Sequence, residues 1–537
     1  MRTPEHRPAR IYSRDPHAYG SSQWASRKHL RTRHYGETGR IFLGYGLPKH
    51  SRAKSYQIRS SSKMHHLVVG STRSGKGISA AIPTCLEHDG ALVVLDVKDG
   101  ENARITARYR RDVLGRNVVL IDPDSIVTSS LGMRNHAFNP VDDLDPESDD
   151  FFDDAFLIAD SLVMDNVKDP FWSDEAKALI AGFCMYARTS PLTLLPVPDK
   201  GRTLGQVRAM LNLAPKAFIN LIAGEFETDG AGNTTMIQAG MAQSRNEYVR
   251  SAAGRIMNKS SKERASVIST AQSNTHFLES PRIQRSLSKS EFNPAILEDS
   301  NTDVFIIMST AKIIRNNRFL RLFVNWSLSA LSRFKKKPDP PVLFLLEEMG
   351  TALGRLSMIE SGFGLMAGYG VILKGFLQDF NQLKTLYKDN WETIIANCGV
   401  IQCCGVNDLF TSDYLSKLCG TSTIEFISEA SAQRRASLAS DPDYYSREDQ
   451  VISRPLITPS EIRVMHPSAQ LMILANAHPA TAYKTAYFLD ARYRDKRGKP
   501  LFDLHPDYAG TPLSPAIDFT RAGLDIGAVL DPVFNSA

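Results

Sequence analysis

His66-Leu67-Val68-Val69-Gly70-Ser71-Thr72-Arg73-Ser74-Gly75-Lys76-Gly77-Ile78 is the stretch that decides the fold. A short apolar, β-branched run reads as a buried strand, a loop bracketed by Gly70 and Gly75 follows, and Ile78-Ser79-Ala80-Ala81 opens a helical pattern. The spacing GxxxxGK lets backbone N–H groups turn inward around phosphate oxygens at a helix N-terminus. Lys76 adds a full charge for the β- and γ-phosphates. Gly70, Ser71, Thr72, Arg73, Ser74, Gly75, Lys76, Gly77 and Ile78 are therefore the nucleotide-binding residues expected here. One element departs from the general pattern. The residue after the lysine, usually a Ser or Thr that ligates magnesium, is Gly77, which leaves Ser74 and Ser79 as candidates for that hydroxyl.

Working outward, further apolar runs at Ala91–Asp96, Asn117–Ile121, Val304–Met308, Val342–Leu346 and Val371–Leu377 predict buried parallel strands with crossover helices, an α/β core. Two of them end in polar pairs suited to nucleotide hydrolysis. Val342–Leu346 runs into Glu347 and Glu348, with Glu347 placed to hold a metal ion and Glu348 to polarise water, although paired acids at a strand end read equally as a solvated turn. Val371–Leu377 ends in Gln378, which can hydrogen-bond the γ-phosphate or the attacking water, or simply turn the chain. Asp96 and Lys98 close another strand, with functional and structural readings in balance. His65, His66, Cys403 and Cys404 read as packed residues rather than ligands.

Between 151 and 275 the character changes. Ala155–Met164, Asp174–Ala187, Leu204–Glu225 and Met236–Met257 place apolar residues at helical spacing, which predicts an all-helical domain inserted into the α/β core. The expected organisation is a basic arm over 1–40, nucleotide-binding segments over 41–150 and 276–495 flanking the insert at 151–275, and a loose tail over 496–537. Ser428–Ser453 reads as a flap, and two late strands are expected at Leu471–Ala475 and Thr485–Leu489. Along the insert, Arg245, Arg250, Arg255, Lys259, Lys262 and Arg264 read as a solvated face or a cargo contact.

Charge concentrates at the start: thirteen Lys or Arg against Glu5, Asp15 and Glu37 within the first sixty residues, a solvated arm or a contact for phosphates of lipid or nucleic acid. Six cysteines without a CxxC pair argue against a disulfide scaffold or structural zinc and fit a reducing cytosol. No apolar run reaches the roughly 18–20 residues of a membrane-spanning helix, so the sequence predicts neither a spanning segment nor export.

GSTRSGKGISAAIPTCL, VVLDVKDGEN, FNPVDDL, DPFWSDEAKALI, LFLLEEMGTALGRL, MAGYGVILKGFLQDFNQL and ANCGVIQCCGVND, in this order, resemble the TraG/VirD-type coupling ATPases of type IV secretion and conjugation. The resemblance covers roughly residues 18–490, and even AYGSSQWASRKHLR matches. It implies a RecA-like P-loop NTPase core with an inserted all-α domain, ATP and Mg2+ as cofactors, and a homo-hexamer at the cytoplasmic face of the inner membrane. It implies recruitment of a relaxase–DNA complex, with single-stranded DNA, or of protein effectors to the components of a secretion channel. Relatives usually carry transmembrane helices ahead of AYGSSQWASRKHLR, so peripheral membrane contact is expected instead. Glu347 stands where relatives have a metal-side aspartate, and Ala367 where some have an arginine. Arg355 and Arg318 are the arginines considered for donation to a neighbouring subunit. A nucleotide-binding receptor platform with little turnover and a FtsK- or HerA-like DNA translocase are the alternative readings.

Overall fold

A computed structural model describes residues 20–47, 54–164, 169–229, 234–427, 449–505, 514–521 and 523–535. The basic residues 1–19 and positions 428–448 of the flap expected over Ser428–Ser453 lie outside the described residues, whereas 449–453 are not loop but part of a strand, Asp449–Pro455, paired with Thr421–Ile427. In chain order the strands are β1 (Ile41–Gly46), β2 (Tyr56–Ser60), β3 (His65–Val69), β4 (Leu92–Asp96), β5 (Asn117–Ile121), β6 (Glu225–Thr228), β7 (Thr234–Gln238), β8 (Thr302–Ile307), β9 (Val342–Leu346), β10 (Val371–Leu377), β11 (Cys398–Cys403), β12 (Thr421–Ile427), β13 (Asp449–Pro455), β14 (Ala469–Leu474) and β15 (Ala480–Tyr483).

Eleven of these build one sheet in the order β2-β1-β15-β14-β11-β3-β10-β9-β4-β8-β5. From β11 to β5 every neighbour pair is parallel, whereas β14, β15, β1 and β2 extend the sheet antiparallel. The continuous apolar runs of β3, β4, β9 and β10 are buried throughout because helices cover both faces. Alternation sorts their side chains: Leu67, Val69, Val93, Leu95, Phe344 and Leu346 join one core, while Val68, Leu92, Val94, Leu343 and Leu345 join the other. β10 lies between β3 and β9, so the ends of these three strands open side by side at one edge, where open parallel sheets take ligands.

The chain from 122 to 301 joins β5 to β8 and is mainly helical, with Phe151–Leu162, Pro170–Thr189, Leu204–Leu211, Pro215–Ala223, Glu247–Met257 and Ser261–Thr275 as its principal helices. Two details differ from the sequence expectation. Pro215 starts a new helix within Leu204–Glu225, and the span Met236–Met257 is not one helix. Met236 and Ile237 belong to the β6–β7 hairpin, and the helix begins only after Asn246, whose side chain accepts from the Val249 N–H. Of the basic run, Arg255 and Lys259 pair with Glu175 at 2.8 and 2.9 Å, so these two are structural rather than a free cationic face.

The C-terminal region departs furthest from expectation. The second late strand is Ala480–Tyr483, not Thr485–Leu489, which forms a short 3-10 turn at Tyr487–Leu489. Among its described residues the expected loose tail is packed: Phe502, Phe519, Ile526 and Leu530, with Tyr493 just ahead of it, are buried against Phe42, Tyr45, Ile82 and Leu86. Charges just ahead of it are tied as well, with Arg492 stacked 3.9 Å over the Phe42 ring and paired with Asp490 at 2.7 Å. No helix among the described residues is long and apolar enough to cross a membrane.

Candidate nucleotide site

The loop after β3 crosses to a helical segment at Gly77–Ala81 that continues as Ile82–Glu87. Arg73 and Gly75 adopt left-handed backbone conformations, φ 63° and 84°, that turn the loop back over itself. Gly70 has to be glycine, since a Cβ there would lie 2.6 Å from the Ser74 hydroxyl and 3.2 Å from the Cys404 side chain and the Gly405 carbonyl. The Lys76 ammonium donates to the carbonyls of Gly70 and, at 3.1 Å, of Ser71, folded into its own loop. Burial pulls its pKa below the ordinary lysine value, and the nearby Glu348 carboxylate opposes that pull.

At the end of β9 the two acids separate. Glu347 is only 1% exposed, and its Oε2 has no hydrogen-bond partner. Burial pushes its carboxyl above the usual range, against the attraction of Lys98. Glu348 takes a left-handed conformation, φ 45°, a strained position for a side-chain-bearing residue of the kind that collects at functional sites. Lys98 stands between them, its ammonium 3.7 Å from Glu347 Oε1 and 3.6 Å from Glu348 Oε1. Burial disfavours the Lys98 charge, but Glu347, Glu348 and Glu101 outweigh it and hold its pKa above the ordinary value. From the end of β10, Gln378 donates through Nε2 to Glu348 Oε2 at 3.3 Å. The ends of β4, β9 and β10 are thus joined through one carboxylate.

A cavity of about 610 Å³ opens beside this group. Ser71, Thr72, Arg73, Ser74, Gly75, Lys76, Gly77 and Ile78 line it with Lys98, Glu101 and Glu348, and Tyr487, Phe488, His505 and Val533 form the opposing wall. Gly70, Glu347 and Gln378 are not part of this lining. Of the pair Asp96 and Lys98, the structure brings Lys98 to the site and uses Asp96 elsewhere: the Asp96 carboxylate accepts from the Ala103 N–H at 2.8 Å and from Asn102 at 3.3 Å, capping the helix Glu101–Asp112.

Several expectations need correction. The Ser79 hydroxyl donates to the Gly75 carbonyl at 2.7 Å and Ser74 Oγ is buried against Gly70, so neither hydroxyl faces the cavity in place of the one Gly77 lacks. Arg318 is half-buried and donates to Leu162 O at 3.0 Å and Asn274 Oδ1 at 2.9 Å, engaged within its own subunit. Arg355 stays partly exposed, 3.6 Å from Glu360.

Three residues that the sequence reading passed over shape the site: Glu101, His505 and Lys484. Lys484 is 1% exposed and donates to the Ser74 carbonyl at 2.7 Å and the Cys404 carbonyl at 2.8 Å, pinning the loop to the end of β11. A lysine among the small and aromatic residues of Ala482-Tyr483-Lys484-Thr485-Ala486 is a buried-cation signal that could have pointed to it. His65 and His66 are buried, His65 accepting from the Leu373 N–H at 3.0 Å with its pKa pushed down to about 4 by burial, as suits packed histidines. Cys403 and Cys404 are likewise buried free thiols.

The sequence model of the type IV secretory system conjugative DNA transfer family matches residues 23–505. A conjugal transfer protein TraG of Escherichia coli is 28% identical over 479 residues, covering 82% of this chain and 70% of that protein. Protein VirD4 of Agrobacterium fabrum is 24% identical over 498 residues, covering 90% and 68%. Among solved structures, the bacterial conjugative coupling protein TrwBdeltaN70 aligns with a TM-score of 0.60 at 15% identity, over 87% of this chain and 94% of that one. The plasmid coupling protein TrwB in complex with ADP and Mg2+ aligns at 0.59 and 14% identity, over 87% and 93%. At these identities the structural likeness establishes the shared fold, the α/β P-loop core with its helical insert.

Proposed function

The chain belongs to the type IV secretory system conjugative DNA transfer family, and from that premise we propose that it is an ATP-hydrolysing coupling protein that passes a relaxase–single-stranded DNA complex, or effector proteins, to a secretion channel. The observation that carries the reading is the convergence of Lys76, Lys98, Glu348 and Gln378 at the ends of four neighbouring parallel strands.

The residues fit a nucleotide with Mg2+. Glu347 Oε2 is a buried oxygen without a partner, and the nearby acids are hard oxygen donors of the kind that cation takes. The cation, when bound, neutralises charge on the β- and γ-phosphates. In this chain, residues 70–78 cradle those phosphates and Lys76 exchanges the carbonyls of Gly70 and Ser71 for phosphate oxygens. Glu347 would hold the metal side. Glu348 accepts the proton of the attacking water, and Gln378 fixes the carboxylate that does so.

The cavity lies at the strand ends and stays open to solvent, where a neighbouring copy can reach the nucleotide, which supports the ring of six that the family resemblance implies. The cations of the first sixty residues, apart from Arg27, Arg40 and Arg59, which pair with Glu37, Asp339 and Glu87, then supply peripheral contact with anionic phosphates at the inner membrane. The test is phosphate release measured across a protein concentration series, with sedimentation alongside. Activity per subunit should rise with concentration and with single-stranded DNA. A concentration-independent rate from a persistent monomer would refute the assembly.

A further inference from the structure

The loop lacks the hydroxyl that normally follows its lysine. Gly77 carries no side chain, the Ser79 hydroxyl is spent on the Gly75 carbonyl, and Ser74 Oγ is turned under the loop. An added Cβ at Gly77 would have two neighbours within 4 Å, Glu101 Oε1 at 3.8 Å and Glu101 Oε2 at 3.9 Å. Glu101 opens the helix Glu101–Asp112 directly after Gly100, whose φ of 73° turns the chain from the end of β4 toward the loop. Its carboxylate therefore stands beside the spot a Ser or Thr hydroxyl would reach, and it lines the same cavity as Lys76, Lys98 and Glu348.

We propose that Glu101 supplies the oxygen ligand for the nucleotide-bound divalent cation that Gly77 cannot. The proposal rests on the nucleotide reading above and adds a ligand to it. Mg2+ is commonly held by one or two carboxylates together with substrate phosphates, and Glu101 with the buried, partnerless oxygen of Glu347 makes up such a pair of donors. His505 Nε2, 3.8 Å from Glu101 Oε1, faces the carboxylate from the C-terminal wall.

Exchanging a hydroxyl for a carboxylate has a consequence of definite sign. A neutral hydroxyl leaves nucleotide tolerated without metal, whereas a carboxylate beside a polyphosphate repels it until a cation intervenes. Nucleotide affinity in this chain is therefore steeply dependent on Mg2+.

The experiment is a titration with methylanthraniloyl-ADP in excess Mg2+ and in EDTA, on the full chain and on Glu101→Gln, Gly77→Ser and the double variant, with thermal melting without nucleotide as a control for folding. Wild type should gain on the order of tenfold or more in affinity from Mg2+, the scale on which metal-site groups act. Glu101→Gln should lose most of that gain and bind at least as well as wild type in EDTA. Gly77→Ser, which has space for its Cβ, should restore Mg2+ dependence to Glu101→Gln. Wild-type Mg2+ dependence in Glu101→Gln, or equal weakening with and without Mg2+, would overturn the role of Glu101 while leaving the nucleotide site standing. Failure of wild type to bind the probe in either condition would overturn the nucleotide reading and this proposal with it.

Discussion

Gln378 and Glu348 meet at 3.3 Å across the ends of two adjacent parallel strands, the amide of one donating to the carboxylate of the other. The Glu348 backbone is held in a left-handed conformation, and Lys98 at 3.6 Å engages the second oxygen of its carboxylate. Removing the amide with Gln378→Ala leaves nucleotide contacts in place but frees the carboxylate to rotate. Phosphate release should fall by about tenfold to a hundredfold while nucleotide affinity changes little, because misorientation of a base acts on turnover. Equal losses in affinity and turnover would place Gln378 in nucleotide binding instead.

Lys484 holds the loop from behind. Replacing it by Met strips the donor from the Ser74 and Cys404 carbonyls, and buried groups left without partners cost about 1–3 kcal/mol. Lys484→Met should weaken nucleotide binding by roughly tenfold and lower the melting temperature modestly. Calorimetric titration and melting check both, and an unchanged affinity would show that the loop keeps its shape without this anchor.

Lys374, in the middle of β10, is fully buried and donates to Thr84 Oγ1 at 2.7 Å on the helix that follows the loop. Burial pulls its pKa down to about 8 from 10.5, against the favourable pull of Cys85, Cys404 and Glu87. Between these two values the folded chain has released the proton and the unfolded chain still holds it, so stability rises with pH across that window and the penalty is present in full below it. Lys374→Met should raise stability at pH 7, by up to about 3 kcal/mol on linkage arithmetic, and flatten the rise between pH 8 and 10.5. Denaturant melts across that range measure it, and an unaltered slope would assign the alkaline rise to other groups.

How far the sequence could be read depends on which forces fix each element. The core strands β3, β4, β5, β8, β9 and β10 were legible because burial on both faces demands continuous β-branched or leucine-rich runs, and the loop because its glycine spacing has one mechanical use. β15 was misplaced because Ala480-Thr481-Ala482-Tyr483 carries little apolar bulk and is held by pairing with β14 and β1. The C-terminal region looked loose because charge, Gly and Pro crowd it from Arg492 onward, yet Arg492 pairs with Asp490 and stacks on the ring of Phe42, a long-range arrangement that local pattern cannot express. The same limit hid Glu101: nothing in Asp99-Gly100-Glu101-Asn102 states that the helix start will face Gly77.

The division of labour between Lys76 and Glu348 is tested most directly by measuring ATP affinity and phosphate release side by side for Lys76→Ala and Glu348→Gln. Lys76→Ala should lose affinity, since it removes the loop's charge for the β- and γ-phosphates. Glu348→Gln should keep wild-type affinity and lose hydrolysis by a factor on the order of a hundred or more, as the loss of a general base does. Undiminished phosphate release from Glu348→Gln would contradict the assignment of the catalytic carboxylate, and with it the claim that these strand ends form a hydrolytic site.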